Sequence, residues 1–220
     1  MLLNRAVAAE AVGTAGLLVT VVGSGIMAER LCGGNVGLAL LANTLATGAG
    51  LIALILTFGP VSGAHLNPVV TLADAHAGGL PWSAVPGRIG AQVAGAILGV
   101  GVADLMFELP AWSLSTHARS GLAQGLSEVV ATFALLGVIT GVSRRTPAAT
   151  PYAVGATITA AYWCTASTSF ANPAVTLARA LTDTFAGIRL ADVPLFVGAQ
   201  LLGAALAVGV FGWLFPRETR

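Results

Sequence analysis

Apolar residues along this chain gather into six long windows, at about 6–28, 36–58, 89–107, 122–142, 152–168 and 193–215, parted by short stretches rich in Gly, Pro and polar residues. Most windows approach the ~20 residues that an α-helix needs to cross a bilayer, so each predicts a membrane-spanning helix. Two connecting stretches break the pattern. Each contains an Asn-Pro tripeptide, Asn67-Pro68-Val69 in the first and Asn172-Pro173-Ala174 in the second. Asn is a strong N-cap and Pro is favoured in a first helical turn, so each tripeptide predicts a helix start. The first such helix runs from Asn67 to about Ala77, about 16 Å, half of the ~30 Å hydrocarbon core. The second is expected from Asn172 to about Phe185, before Gly187. Both segments must dip in and out of the membrane, buried in protein or lining water, because bare backbone is not tolerated against lipid.

The two stretches are copies. Aligned on Asn67 and Asn172 they read NPVVTLAD and NPAVTLAR, and a later echo matches Gly90-Ala91-Gln92 with Gly198-Ala199-Gln200. Asn precedes Gln by 25 residues in one copy and 28 in the other. A chain that repeats at half its length points to duplication: repeat one at 1–110, repeat two at 119–220, in a single domain over 1–220. Three spans per repeat force the second copy to insert upside down. The expected fold is therefore an all-α membrane protein, six transmembrane helices plus two re-entrant half-helices in an inverted 3+3 repeat.

Composition narrows the classes further. With 56% hydrophobic and 9% charged residues, 220 residues carry too little charge to solvate a soluble domain of this size. All ten cationic residues are Arg and net charge is only +1, which argues against a nucleic-acid partner. Arg5, Arg144, Arg145, Arg217 and Arg220 fall on one side of the six-span topology, with Arg30 and Arg119 opposite, so both termini are expected to be cytoplasmic. The first window is too long for a signal-peptide core and contains Glu10, so it is read as a span. Cys32, Cys164 and three scattered histidines show no metal or redox spacing, and no phosphate loop is present. Neither an enzyme, a cofactor nor a bound metal is expected.

Two half-helices entering from opposite faces would meet near the midplane and place about half a positive charge each at that point, repelling cations and protons. Asn67 and Asn172 would offer amide donors to a passing solute with oxygen acceptors. Glu10 and Glu128 occupy equivalent places in the first and fourth spans. A carboxylate there is either a proton relay or a structural acceptor for the backbone donors of the re-entrant loops, and the equivalence favours structure.

Several of these segments resemble the aquaporin and glycerol-facilitator family: Ala9-Glu10-x-x-Gly13-Thr14, Ser62-Gly63-Ala64-His65-Leu66-Asn67-Pro68, Glu128-x-x-x-Thr132-Phe133 and Ser169-Phe170-Ala171-Asn172-Pro173-Ala174. The resemblance covers essentially the whole chain. It implies one pore per protomer, usually a homotetramer in the cell inner membrane, with Asn67, Pro68, Val69, Asn172, Pro173 and Ala174 at the central constriction and Glu10 and Glu128 as buried supports. Family spacing assigns the outer selectivity filter to Thr47, Ala160, Ser169 and Val175. Many members hold an Arg where this chain has Val175, and water-selective members build a narrow ring with Phe, His and Arg. Without those, the pore is expected to be wide, neutral and mildly polar, passing small neutral solutes as well as water. The run from Phe170 to Arg179 and on through Thr182-Asp183-Thr184-Phe185-Ala186-Gly187 is similar to a bacterial subgroup associated with metalloid export, arsenic especially. Arg179, four residues beyond Val175, either charges the outer vestibule, pairs with Asp183 or snorkels to the interface. Glycerol, urea, arsenous acid and boric acid all suit such a pore. A water-selective channel, a coupled secondary transporter and a non-conducting tetramer are the competing readings.

Overall fold

A computed structural model describes residues 4–216. The described residues form helices and loops only, with eight α-helices: α1 (Arg5–Leu31), α2 (Val36–Ser62), α3 (Pro68–His76), α4 (Val85–Met106), α5 (Leu122–Arg145), α6 (Thr150–Cys164), α7 (Pro173–Arg179) and α8 (Val193–Leu214). Helices α1, α2, α4, α5 and α8 are long and apolar enough to cross a membrane. The chain is a multi-pass membrane protein. Arg217 and Arg220, on which the expected orientation partly rests, lie outside the described residues.

Two segments differ from expectation. Helix α6 is 15 residues, about 22 Å, and stops at Cys164 instead of running to Thr168. Beyond it, Thr168, Ser169 and Ala171 take positive φ values of 60°, 51° and 48°, which turn the backbone back toward the middle. Half-helix α7 has seven residues and ends at Arg179, well before Phe185. The helix stops because the 115–119 segment binds the residues just beyond it. The Ser115 amide donates to the Ala180 carbonyl, and Asp183 Oδ1 accepts from both the Thr116 amide and hydroxyl, at 2.8 and 2.9 Å. Thr182 Oγ1 donates to Asp104 at 2.7 Å.

Helices α1–α4 and α5–α8 repeat one arrangement. Within each half the first helix lies against the last, α1 on α4 and α5 on α8. Glycine permits that approach: a β-carbon at Gly95 would collide with the Ala11 carbonyl, and one at Gly203 would come within 2.5 Å of the Val129 carbonyl. Across the halves, α2 packs on α6. Leu17, Leu18, Val21, Val22, Val100, Ala131, Leu135, Val154, Ile158 and Ala174 belong to the central apolar cluster, so the core is shared by both copies.

Candidate functional site: a pore between two half-helices

Each re-entrant loop is built on its Asn. Asn67 caps α3, its Oδ1 accepting from the Val69 amide at 3.1 Å; Asn172 caps α7 by accepting from Ala174 and Val175 at 3.0 and 3.3 Å. The amide nitrogens then cross over. Asn67 Nδ2 donates to the Ala171 carbonyl and Asn172 Nδ2 to the Leu66 carbonyl, both at 2.8 Å. Each Asn thus grips the residue just before the other, and one N–H of each side-chain amide has no protein acceptor.

The backbone leading to each Asn has one pattern. Gly63, Ala64 and Leu66 have φ of 86°, 47° and 50°; the positions 105 residues on, Thr168, Ser169 and Ala171, have 60°, 51° and 48°. A left-handed non-glycine residue costs about 1–2 kcal/mol, so something must hold these loops. Buried carboxylates do. Glu10 Oε1 accepts from Ser62 Oγ and the His65 amide, and its Oε2 from the Leu66 amide and Gln92 Nε2, at 2.6–3.0 Å. Glu128 Oε1 and Oε2 accept from the Phe170 and Ala171 amides at 2.9 and 2.8 Å, and Gln200 Nε2 donates to Oε2 at 2.6 Å. Gln92 and Gln200 also reach Thr71 and Thr176, whose hydroxyls donate to the Asn67 and Asn172 carbonyls. Charge-assisted bonds of this kind are about twice as strong as neutral ones, enough to offset the loop conformation.

A single cavity of about 1060 Å³ is lined from one side to the other by residues of both loops. Asp74, Arg144 and Arg145 stand at one end, Asn67 and Asn172 between, and Thr47, Ser169, Val175 and Arg179 toward the other. Pro68, Val69, Pro173 and Ala174 are not on the wall: Val69 is in the apolar cluster with Leu136 and Ala207, and Ala174 is in the central core. Val69 and Ala174 pack behind the Asn pair instead of lining the cavity with it.

That end departs from the expected filter at one position. Ala160 is exposed on the outer face of α6 and does not line the cavity. Val154, Ile158 and Tyr162 do, at steps of four along one face, and a residue two positions away lies about 200° around a helix. The apolar spacing 154–158–162 is the signal that could have located this face. Tyr162, buried, donates its hydroxyl toward Thr47 Oγ1 at 3.4 Å. An aromatic ring therefore stands where a small residue was expected.

Arg179 brings a cationic side chain to the same cavity. It is 3% exposed, its Nε donates to the Ala186 carbonyl, and its guanidinium lies 3.4 Å from the Phe170 ring centroid. It does not pair with Asp183, whose carboxyl is held below its ordinary range by the two hydrogen bonds from Thr116. Arg119 approaches the same ring at 5.1 Å and donates to the Gly187, Ser167 and Phe185 carbonyls. His65, at the place of Phe170 in the first copy, hydrogen-bonds Thr71 Oγ1 at 3.1 Å and pairs with Asp74 at 3.5 Å.

The family model for major intrinsic proteins matches residues 1–151. The chain belongs to that family. Members are membrane channels, and this major intrinsic protein is a channel and not an enzyme. It is 53% identical over 212 residues to "Aquaglyceroporin AqpS" of Rhizobium meliloti, covering 96% of this chain and 91% of the relative. It is 30% identical over 232 residues to "Aquaporin Z" of Bradyrhizobium diazoefficiens, covering 96% and 94%. Among solved structures, the aquaglyceroporin from Plasmodium falciparum superimposes with a TM-score of 0.70 at 22% identity, over 96% of this chain and 94% of that one. That likeness is one of fold. It places the six membrane helices and two half-helices in the aquaporin arrangement.

Proposed function

We propose that this major intrinsic protein is a passive channel for water and small uncharged solutes, glycerol, urea and metalloid hydroxides such as arsenous acid among them. The observation that carries the reading is Val175 on the cavity wall, buried and apolar where many members of the family carry Arg. Thr47 and Ser169, both small, share that end of the cavity. The relative that is 53% identical is named an aquaglyceroporin, which supports solutes beyond water. The protein works as a homotetramer with one pore per protomer in the plasma membrane, both termini cytoplasmic. Arg5 and the Arg144–Arg145 pair then face the cytoplasm.

Purified protein in liposomes tests this. Water, glycerol, urea and arsenous acid should each equilibrate faster than in bare vesicles, without saturating in step with a proton gradient. Val175→Arg should lower the ratio of glycerol to water permeability about tenfold by narrowing the opening. An unchanged ratio would place the limiting constriction elsewhere, at the Asn pair. Because His65 and Asp74 lie on the wall, proton-coupled transport is the second reading, and a flux that tracks an imposed pH gradient would favour it.

A further inference from the structure

The outer half of the pore holds two polar groups that the protein itself does not satisfy. Among the described residues the Arg179 guanidinium has one hydrogen bond, from Nε to Ala186, and no carboxylate partner. Its remaining N–H donors belong to a side chain that is 3% exposed and lines the cavity. Ser169 is 2% exposed and lines the same cavity, and its Oγ has no hydrogen-bond partner. A buried guanidinium or hydroxyl without a partner is costly, so such groups imply that something else completes them.

The guanidinium is also held in place. Stacking on Phe170 fixes its plane and the Ala186 bond fixes its Nε edge, so the free edge keeps a constant direction. Nearby acceptors are engaged otherwise: Glu128 by two amides and Gln200, Asp183 by Thr116. Resting on the channel reading above, we infer that Arg179 is the fixed cation of this pore, one helical turn beyond Val175, and forms with Ser169 a binding site for small polyhydroxylated solutes. An acceptor oxygen of the solute takes the guanidinium N–H donors, and a neighbouring hydroxyl donates to or accepts from Ser169 Oγ. Cations are turned away at the same place.

The test uses the full-length protein in liposomes, reading glycerol-to-water permeability and methylammonium leak on the same preparation. If wild-type vesicles pass neither water nor glycerol faster than bare ones, the channel reading itself fails. Given a conducting wild type, Arg179→Leu should lower the glycerol-to-water ratio at least about fivefold, although the side chain is smaller, and raise methylammonium leak about tenfold. Arg179→Lys should keep methylammonium out but still lose the glycerol preference, because an ammonium lacks the stacked fork. Ser169→Ala should lower the ratio about twofold without any cation leak. A glycerol-to-water ratio that rises or stays level in Arg179→Leu would make Arg179 a plug or a loop anchor and overturn the inference. Should that variant fail to fold, Val175→Arg decides: leak unchanged within about twofold supports a cation already in place, whereas a wild-type leak well above bare vesicles that Val175→Arg abolishes overturns it.

Discussion

The two half-sites of this channel share a skeleton and differ in what they hang on it. In both, a buried Glu, a Gln and a Thr hold a loop whose left-handed residues recur at the same three positions. Around the first loop the framework is polar: Arg88 Nη1 approaches Glu10 at 3.4 Å and also donates to the Ser62 carbonyl, and His65 pairs with Asp74. Around the second, the matching places hold Phe196 for Arg88, Phe170 for His65 and Arg179 for Asp74. Phe170 and Phe196 meet edge to face with centroids 5.1 Å apart. One half sets Arg88 against Glu10 and His65 beside Asp74; the other rests on aromatic rings and leaves its Arg without a carboxylate partner. Duplication thus preserved what sets backbone conformation and changed the side chains packed around it.

Breaking the shared part should hurt most. Glu10→Ala and Glu128→Ala each leave buried loop amides unpaired, about 1–3 kcal/mol per group, and should abolish monodisperse protein on size-exclusion chromatography. Glu10→Ala should be the worse, since it also strands Arg88. Next come Asn67→Ala and Asn172→Ala, which each remove a cap and one crossover bond. A loss of about 1–2 kcal/mol should appear as a lower melting temperature, similar in the two variants because their crossover bonds are equivalent, with Asn172→Ala slightly the worse for its second capping bond. A clear inequality would show that the halves are not mechanically alike.

Smaller changes sharpen the difference at the outer end. Tyr162→Ala should raise glycerol permeability severalfold, while Ala160→Leu, on the exposed face of α6, should leave it within measurement error. The reverse result would return the filter to position 160. The smallest effect concerns Asp183. Thr116 depresses its carboxyl pKa in the folded protein, so its stabilising contribution is present above the unfolded carboxylate value and is lost as pH falls through the depressed one. Asp183→Asn should lower the protection of the 113–121 segment at neutral pH to about the level the wild type reaches in acid, and remove its acid sensitivity, read by hydrogen exchange.

Much of this was legible in the chain itself. Six apolar windows and two Asn-Pro starts matched the helices because span length and helix initiation are local properties. Three features were not. Helix α7 ends early because Ser115 and Thr116 compete for its last groups from 64 or more residues away, which no local signal carries. Tyr162 takes the wall from Ala160 because counting back from Asn172 assumes a fixed path through a loop that here contains three left-handed residues. Arg179 finds Phe170 and Ala186 in preference to Asp183 because burial and stacking outweigh an i+4 ion pair worth a few tenths of a kcal/mol.

The crossover between the loops also sets a timetable for synthesis. Asn67 must wait for a carbonyl 104 residues downstream, and the Leu66 carbonyl for a donor 106 residues away. At about 5–20 residues per second, the first half-helix stands in the membrane for about 5–20 s before its partner exists. During that interval the nascent first repeat carries a half-finished polar centre, satisfied only by water or by the insertion machinery. Slowing translation between the repeats would lengthen that exposure, and premature termination there would leave a product with no way to close its own interior.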